Sequence, residues 1–181
     1  KKECEIALDN GFSSIMFDGS RKPLSQNIDQ TAEISELAHA AGISCEGEIG
    51  FVGYTDGDHS AGTDPEEAAK FSRDTCVDAM AISVGNVHLQ QSKVGGLDEA
   101  LISEIDRRTT LPLVIHGASG VPVAQRQRLA RCSSICKFNI GTELRMIFGL
   151  ALRDAVTQNP TRFDRVEILK ETHLPMKYLK H

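Results

Sequence analysis

Five short apolar runs recur along the chain, at intervals of about 30 residues, and polar or small residues follow each of them. Runs of this length that contain Ile, Val, Met and Phe are typical of buried strands. The spaces between them carry longer amphipathic patterns. The predicted strands are 13–19, 43–50, 78–85, 112–117 and 135–141.

Helical patterns fill the intervals between the predicted strands. Residues 28–41 place apolar side chains on one face, and Gly42 ends that pattern. Asp64, followed by Pro65, is the clearest predicted helix start. Asp98 opens the next pattern, residues 124–132 form a short one, and Thr142 opens the last.

Strict alternation of strands and helices predicts a parallel sheet built from right-handed βαβ units. Two architectures fit five such units: a doubly wound sheet, or part of a (β/α)8 barrel. A complete barrel typically takes about 250 residues, so 181 residues suit an incomplete one. We expect residues 1–181 to form a single domain whose longest loop is 51–63.

Composition narrows the class of protein. The net charge of −5 is spread along the chain without a basic stripe, which argues against binding to nucleic acid or to an anionic membrane. No apolar segment approaches the roughly 20 residues of a membrane helix. Five cysteines without paired CxxC motifs favour free thiols. We therefore expect a cytoplasmic protein that acts on a small molecule.

Every predicted strand delivers polar residues to the same rim, because the carboxyl ends of parallel strands meet there. Two histidines with carboxylates suit Zn²⁺ and related divalent ions. Small residues after His116, and a turn at Asn139 that opens a helix, are ingredients of a phosphate site. A metal beside a phosphate site indicates phosphosugar chemistry. The rim residues are Asp18, Ser20, Glu46, Glu48, Asn86, His88, His116, Gly117, Ser119, Asn139, Gly141 and Thr142.

Five ordered motifs carry a family resemblance: SSIMFDGS, CEGEIG, ISVGNVH, LVIHGASGVP and KFNIGTEL. Together they resemble the class II, metal-dependent fructose-bisphosphate and tagatose-bisphosphate aldolases, and the tagatose-type enzymes are the most similar. The resemblance runs from about Cys4 to about Pro160 and implies the (β/α)8 TIM barrel. It also implies that the chain begins after three βα units, which in the family carry another zinc histidine and the catalytic aspartate.

The resemblance assigns roles to individual positions. His88 and His116 match zinc-binding histidines, Glu48 a carboxylate able to bind the ion, and Asp18 an acidic residue beside it. Asp56 and Asp58 are the candidate catalytic carboxylates on the loop. Leu89 stands where the family has a glycine whose amide meets phosphate. The segments expected to hold phosphate are Gly117, Ala118 and Ser119, and Asn139, Ile140, Gly141 and Thr142.

The function so implied is the reversible cleavage of a ketose 1,6-bisphosphate to dihydroxyacetone phosphate and an aldehyde phosphate, through a zinc-stabilised enediolate. Zn²⁺ is the expected cofactor, a monovalent cation is a second candidate ion, and a homodimer or homotetramer is the expected assembly. Two alternatives stay open at this point. One is a non-catalytic, truncated relative with a structural or regulatory role, and the other is a different phosphosugar enzyme on the same scaffold.

Overall fold

The structure, a computed structural model, describes residues 1–53, 61–86 and 96–172. Each observed strand lies inside a predicted apolar run, so the strand predictions are confirmed. The elements are α1 (Lys2–Asp9), β1 (Ser14–Phe17), α2 (Leu24–Ala40), β2 (Ser44–Ile49), α3 (Pro65–Thr75), β3 (Ala79–Ile82), α4 (Glu99–Asp106), β4 (Leu113–Ile115), α5 (Val123–Cys132), β5 (Ile135–Phe138), α6 (Thr142–Gln158) and α7 (Arg165–Lys170).

All five strands are parallel and lie in one sheet in the order β1-β2-β3-β4-β5. A doubly wound sheet reverses its strand order at a switch point, whereas a barrel adds each strand beside the previous one. The sequential order therefore confirms the α/β fold and agrees with an incomplete (β/α)8 barrel. The doubly wound alternative is excluded for the described strands.

The central strands form the core. Met80, Ile82, Leu113 and Ile115 are fully buried. Parallel neighbours in register point to the same face of a sheet, and alternate residues of one strand point to opposite faces. Because these large apolar residues pair across β3 and β4, they define the face that packs on the helices, and the residues between them face the interior.

Helix α2 ends as the pattern predicted, at a glycine. Gly42 has φ +73°, and its N–H donates to the carbonyl of His39 at 3.0 Å. The N–H of Ile43 donates to the carbonyl of Ala38, also at 3.0 Å, which completes a Schellman motif. The helix starts at Leu24, four residues before the predicted start, directly after Pro23.

The acidic caps predicted for α3 and α4 are present. The Asp64 carboxylate accepts the N–H groups of Glu66 and Glu67 at 2.9 and 3.0 Å. Asp98 accepts the N–H of Leu101 at 2.9 Å. Each carboxylate satisfies helix N–H groups that have no partner inside the helix, so these residues fix where the two helices begin.

The described chain divides into two compact units, Lys1–Asn139 and Ile140–His181. The single domain expected from the sequence stays a prediction. In the second unit α6 begins at Thr142, as expected, but no side chain caps it; the Thr142 hydroxyl instead accepts from Arg145 Nη2 at 3.1 Å. Among the described helices, none combines the length and apolar character that a membrane span needs.

Gly47 on β2 makes room for the largest side chain under the sheet. A Cβ atom at this position would lie 2.8 Å from the Phe71 ring and 3.0 Å from the Thr31 methyl group. Phe71, on α3, has no exposed surface. The missing side chain of Gly47 is therefore what allows α3 to pack closely on β2.

We expect Gly47→Ala to lower the free energy of unfolding by about 1–3 kcal/mol, because the added methyl group overpacks the site around Phe71. Urea denaturation measures this change. Gly149→Ala is the matched control: its Cβ would meet nothing within 4 Å on α6, so the same substitution should stabilise by up to about 1 kcal/mol. Equal effects at the two positions would contradict the packing argument.

Asp78 ties the start of β3 to β2. Its carboxylate accepts the N–H of Cys45 at 2.8 Å and lies 3.0 Å from Nε2 of His39. The hydrogen bond from the Cys45 backbone, with a smaller contribution from His39, holds the pKa of Asp78 below its ordinary value. The ionised carboxylate is thus the form that stabilises the fold.

Because the pKa of Asp78 is lower in the folded state, its ionised carboxylate stabilises the fold at pH values above the unfolded pKa of about 3.9. That stabilisation is lost as the pH falls through the pKa of the folded state. We expect Asp78→Asn to be about 1 kcal/mol less stable than wild type at pH 5.5, and the difference to shrink towards pH 2.5. Urea titrations at several pH values measure it. A difference that stays constant over this range would refute the linkage.

Candidate metal site

Two carboxylates of β2 project from the inner face of the sheet, opposite the face that packs on the helices. Glu46 and Glu48 are two residues apart, so they project to the same face, opposite Gly47. Their residue exposures are only 6% and 3%. Buried carboxylates need hydrogen bonds or opposite charges, since transfer from water without them is costly.

His116 supplies one of those partners. It directly follows β4 and is 7% exposed. Its Nε2 lies 2.8 Å from Oε1 of Glu46, and its Nδ1 lies 3.2 Å from Oε2 of Glu48. The imidazole ring is thus held between the two carboxylates of β2, one on each ring nitrogen.

Lys137 of β5 supplies the second partner, because its ammonium group pairs with Oε2 of Glu46. Strands β2 and β5 are three strand spacings apart, about 14 Å on a flat sheet. Side chains stand roughly perpendicular to a sheet, so on a flat sheet the two charged groups would stay about this far apart. The ion pair therefore indicates that the sheet is curled, as in the wall of a barrel.

The ion pairs shift two pKa values. Burial alone would lower the pKa of His116, but the hydrogen bonds to Glu46 and Glu48 outweigh it and raise this pKa to about 9. Burial alone would raise the pKa of Glu46, but His116 and Lys137 outweigh it and the pKa is lowered. The cluster of Glu46, His116 and Lys137 therefore holds a charged imidazolium against ionised Glu46 at neutral pH.

Buried amide side chains hold the backbone at these positions. Asn27 of α2 donates to the carbonyl of Glu48 at 2.9 Å. Asn86, which follows β3, donates to the carbonyls of His116 at 2.9 Å and Ile82 at 3.3 Å, and its own carbonyl accepts from Val84. The backbone of Glu48 and of His116 is thus held in place by side chains from neighbouring elements.

His116 Nδ1 and Glu48 Oε2 form an ion pair in the structure, and their spacing is close to that of two ligand atoms on one divalent ion. Ligand atoms about 2.0–2.1 Å from a tetrahedral zinc lie roughly 3.4 Å from each other. The observed separation is 3.2 Å, and imidazole nitrogen with carboxylate oxygen is a donor set that zinc accepts. Within the described residues, no group of three ligand side chains assembles. His88, the predicted third ligand, lies outside the described residues.

Asp18 follows β1 and is exposed. Its carboxylate accepts the backbone N–H and the hydroxyl of Ser20, at 3.0 and 2.6 Å. The register places Phe17 beside Gly47, so Asp18 and Glu48 come next on neighbouring strands. The described hydrogen bonds of Asp18 are those of a turn, and its role beside the metal stays a prediction.

The segment after His116, predicted to contact phosphate, turns tightly at two glycines. Gly117 and Gly120 have φ of +58° and +86°. The N–H of Ala118 donates to the carbonyl of Asn139 at 3.0 Å, and Ser119 is buried. The Ala118 amide thus joins the β4 and β5 ends inside the protein instead of facing outward.

In the second unit, the start of α6 contains the rest of the predicted phosphate segment. Ile140 and Gly141 precede the helix, and Thr142 is 9% exposed. A Cβ at Gly141 would lie 2.9 Å from Nη1 of Arg145, so a cationic side chain packs on this turn. A role in phosphate binding stays a prediction for these residues.

Three further predicted residues lie outside the described part of the chain: Asp56 and Asp58, the candidate catalytic carboxylates, and Leu89, the candidate phosphate contact. Their assignments stay predictions.

Sequence reasoning placed Glu46 on the rim without a role and did not select Lys137. A signal for both was present. Two glutamates separated by one glycine within an apolar strand imply two buried charges on one face, and the run ICKF places a lysine within another predicted strand. Pairing them required the strand register.

The chain matches the family model described as fructose-bisphosphate aldolase class-II over residues 1–179. Among curated proteins it is 39% identical over 173 residues to the 6-phospho-5-dehydro-2-deoxy-D-gluconate aldolase of Shouchella clausii. It is 33% identical over 172 residues to the fructose-bisphosphate aldolase of Geobacillus stearothermophilus. These alignments cover 94% and 93% of the chain, but only 59% and 60% of the relatives.

The fold also matches that of a solved aldolase structure. The X-ray structure of the YdjI aldolase from Escherichia coli K12 superposes with a TM-score of 0.76 at 28% sequence identity. The match covers 97% of this chain and 59% of that structure. The chain therefore spans about three-fifths of the length of that structure.

We expect Asn86→Ala to destabilise the protein by about 2 kcal/mol or more, because it leaves buried carbonyl and N–H groups without partners. Thermal or urea unfolding measures the loss. Asn10→Ala is the control: this exposed asparagine directly follows α1 and donates to the carbonyl of Ile6, so its loss should change stability by less than about 0.5 kcal/mol. Similar losses at both positions would contradict the structural role of Asn86.

Proposed function

Because the chain belongs to the class II fructose-bisphosphate aldolase family, we propose that it forms the metal- and phosphate-binding part of an aldolase for a phosphorylated ketose. The observation that carries the proposal is the pair of buried donors 3.2 Å apart, His116 Nδ1 and Glu48 Oε2. They lie at the carboxyl ends of strands, where barrels of this kind bind ligands.

Zn²⁺ is the proposed ion, held by His116, Glu48 and His88, with Asp18 beside it. A divalent ion bound there supplies Lewis-acid stabilisation of negative charge on a carbonyl oxygen. The protein's part is to fix the donors: Asn27 and Asn86 hold the backbone of Glu48 and His116 in place. A site fixed in this way loses little energy to reorganisation during the reaction.

The family resemblance supports two phosphate-binding segments, the glycine-rich turn after His116 in the first unit and, in the second unit, the start of α6. The proposed phosphate-binding residues are Gly117, Ser119, Asn139, Ile140, Gly141 and Thr142, together with Leu89, which lies outside the described residues. Ala118 would act indirectly, because its amide holds Asn139. Asp56 and Asp58 are the proposed proton-transferring carboxylates.

The proposed reaction is reversible cleavage of a ketose 1,6-bisphosphate to dihydroxyacetone phosphate and an aldehyde phosphate. One relative is named for fructose bisphosphate and the other for a phosphorylated keto sugar acid, so a phosphorylated keto compound is the chemistry their names share. A cytoplasmic location, assembly as a homodimer or homotetramer, a monovalent cation and the lack of nucleic-acid or membrane partners stay predictions.

A zinc titration by calorimetry tests the proposal on the chain itself. We expect one site in the wild type, and at least about 100-fold weaker binding in His116→Ala, because a direct ligand is lost. Dihydroxyacetone phosphate, added afterwards, should tighten zinc binding in the wild type. His39→Ala, a change of an exposed histidine at the end of α2, is the control and should bind zinc as the wild type does.

Two results would overturn the metal-binding assignment. One is a wild-type chain that binds no zinc, which would favour the non-catalytic alternative. The other is equal binding by wild type and His116→Ala, which would place the ion elsewhere.

A further inference from the structure

Resting on the proposed function, we propose that Glu46 and Lys137 form a positioning pair, which fixes the ring of His116 and makes Glu48 the carboxylate that meets the ion. Neither residue touches the proposed ion. The pair acts through His116, and its geometry is contained within the first compact unit.

Both oxygens of Glu46 have partners in the structure. Oε1 lies 2.8 Å from His116 Nε2, and Oε2 pairs with the Lys137 ammonium group. Glu48 lies on the same face of β2 and has its Oε2 at Nδ1 of the same ring. Lys137 thus distinguishes the two carboxylates. It pairs with Glu46, so Glu48 is the carboxylate that remains to bind the proposed ion together with Nδ1 of His116.

The orientation of the ring follows from the same contacts. A metal-binding imidazole normally donates its other N–H to a carboxylate or carbonyl, which fixes the tautomer and the ring plane. Glu46 is placed to accept from Nε2 of His116. The nitrogen that faces Glu48 and the proposed ion is then Nδ1.

A register irregularity turns Lys137, whose side chain stays half-exposed, to the face of the sheet that carries Glu46. Leu113 pairs with Ile135, but the next residue, Val114, pairs with Lys137, so Cys136 is an extra residue on β5. Without the shift, Cys136 would lie beside Val114 on the inner face, and Lys137 would point to the other face. Bulges re-aim side chains in this way and are rare between parallel strands.

Small side chains on β3 let the pair meet. Glu46 lies beside Ala79, and Glu48 lies beside Ala81, on the inner face of the sheet. These alanines do not reach into the space that Glu46, His116 and Lys137 share. Of the two strands between the partners, β3 therefore leaves this space open, while β4 contributes Val114 to the same face.

The test compares Lys137→Met with wild type by two measurements on the 181-residue chain. The first is the Nε2–H resonance of His116 in metal-free protein, which should exchange slowly in wild type and quickly in the variant. The second is Co²⁺ binding, followed by calorimetry and by the visible absorption of the bound ion. We expect the affinity to fall about 10–100-fold and the absorption bands to shift.

Conservative and double variants separate positioning from stability. Lys137→Arg keeps the charge and should restore most of the affinity. If Lys137 acts through Glu46, Lys137→Met should lower the Co²⁺ affinity little further in a Glu46→Gln background. If the two residues act independently, the fold-losses in affinity of the single variants would multiply in the double variant. Lys70→Met, which removes the lysine of an exposed pair with Asp74 on α3, should leave both measurements unchanged.

The outcomes distinguish this inference from the proposed function. Unchanged exchange and unchanged Co²⁺ binding in Lys137→Met would overturn the positioning pair, and so would multiplied losses in the double variant. A wild type that shows the protected Nε2–H, sensitive to Lys137, but binds no Co²⁺ or Zn²⁺ would overturn the proposed function while the positioning of the ring by the pair stands.

Discussion

The structure depends on the burial of two carboxylates on one face of β2. Glu46 and Glu48 lie inside the sheet, where unpaired charges are strongly destabilising, so the surrounding elements must supply cations and donors. His116 and Lys137 do so from the fourth and fifth strands. This requirement links the curvature of the sheet, the bulge on β5 and the orientation of the histidine ring.

The two faces of the sheet pack against different groups, a helix on the outer face and charged side chains on the inner face. On the outer face, Gly47 leaves the space that Phe71 fills, so α3 lies close to β2. On the inner face, alanines of β3 leave the space in which charged side chains of β2 and β5 meet. Small residues therefore serve close helix packing on one side and a polar cluster on the other.

The candidate site has the design expected of a rigid ligand scaffold. Its two described donors sit at strand ends, and buried asparagines from α2 and from the end of β3 fix their backbone. Precise sites are better built on such elements than on loops. A fixed scaffold of this kind agrees with membership of the class II aldolase family.

The sequence by itself determined the local structure and the family. Apolar runs located the five strands, Asp64 and Gly42 located helix ends, and LVIHGASGVP carried the resemblance, because these signals are short-range. Strand order, which excluded a doubly wound sheet, and the pairing of Glu46 with Lys137 were decided by the tertiary structure. That pair depends on sheet curvature and on a bulge at Cys136, and neither follows from residue spacing along the chain.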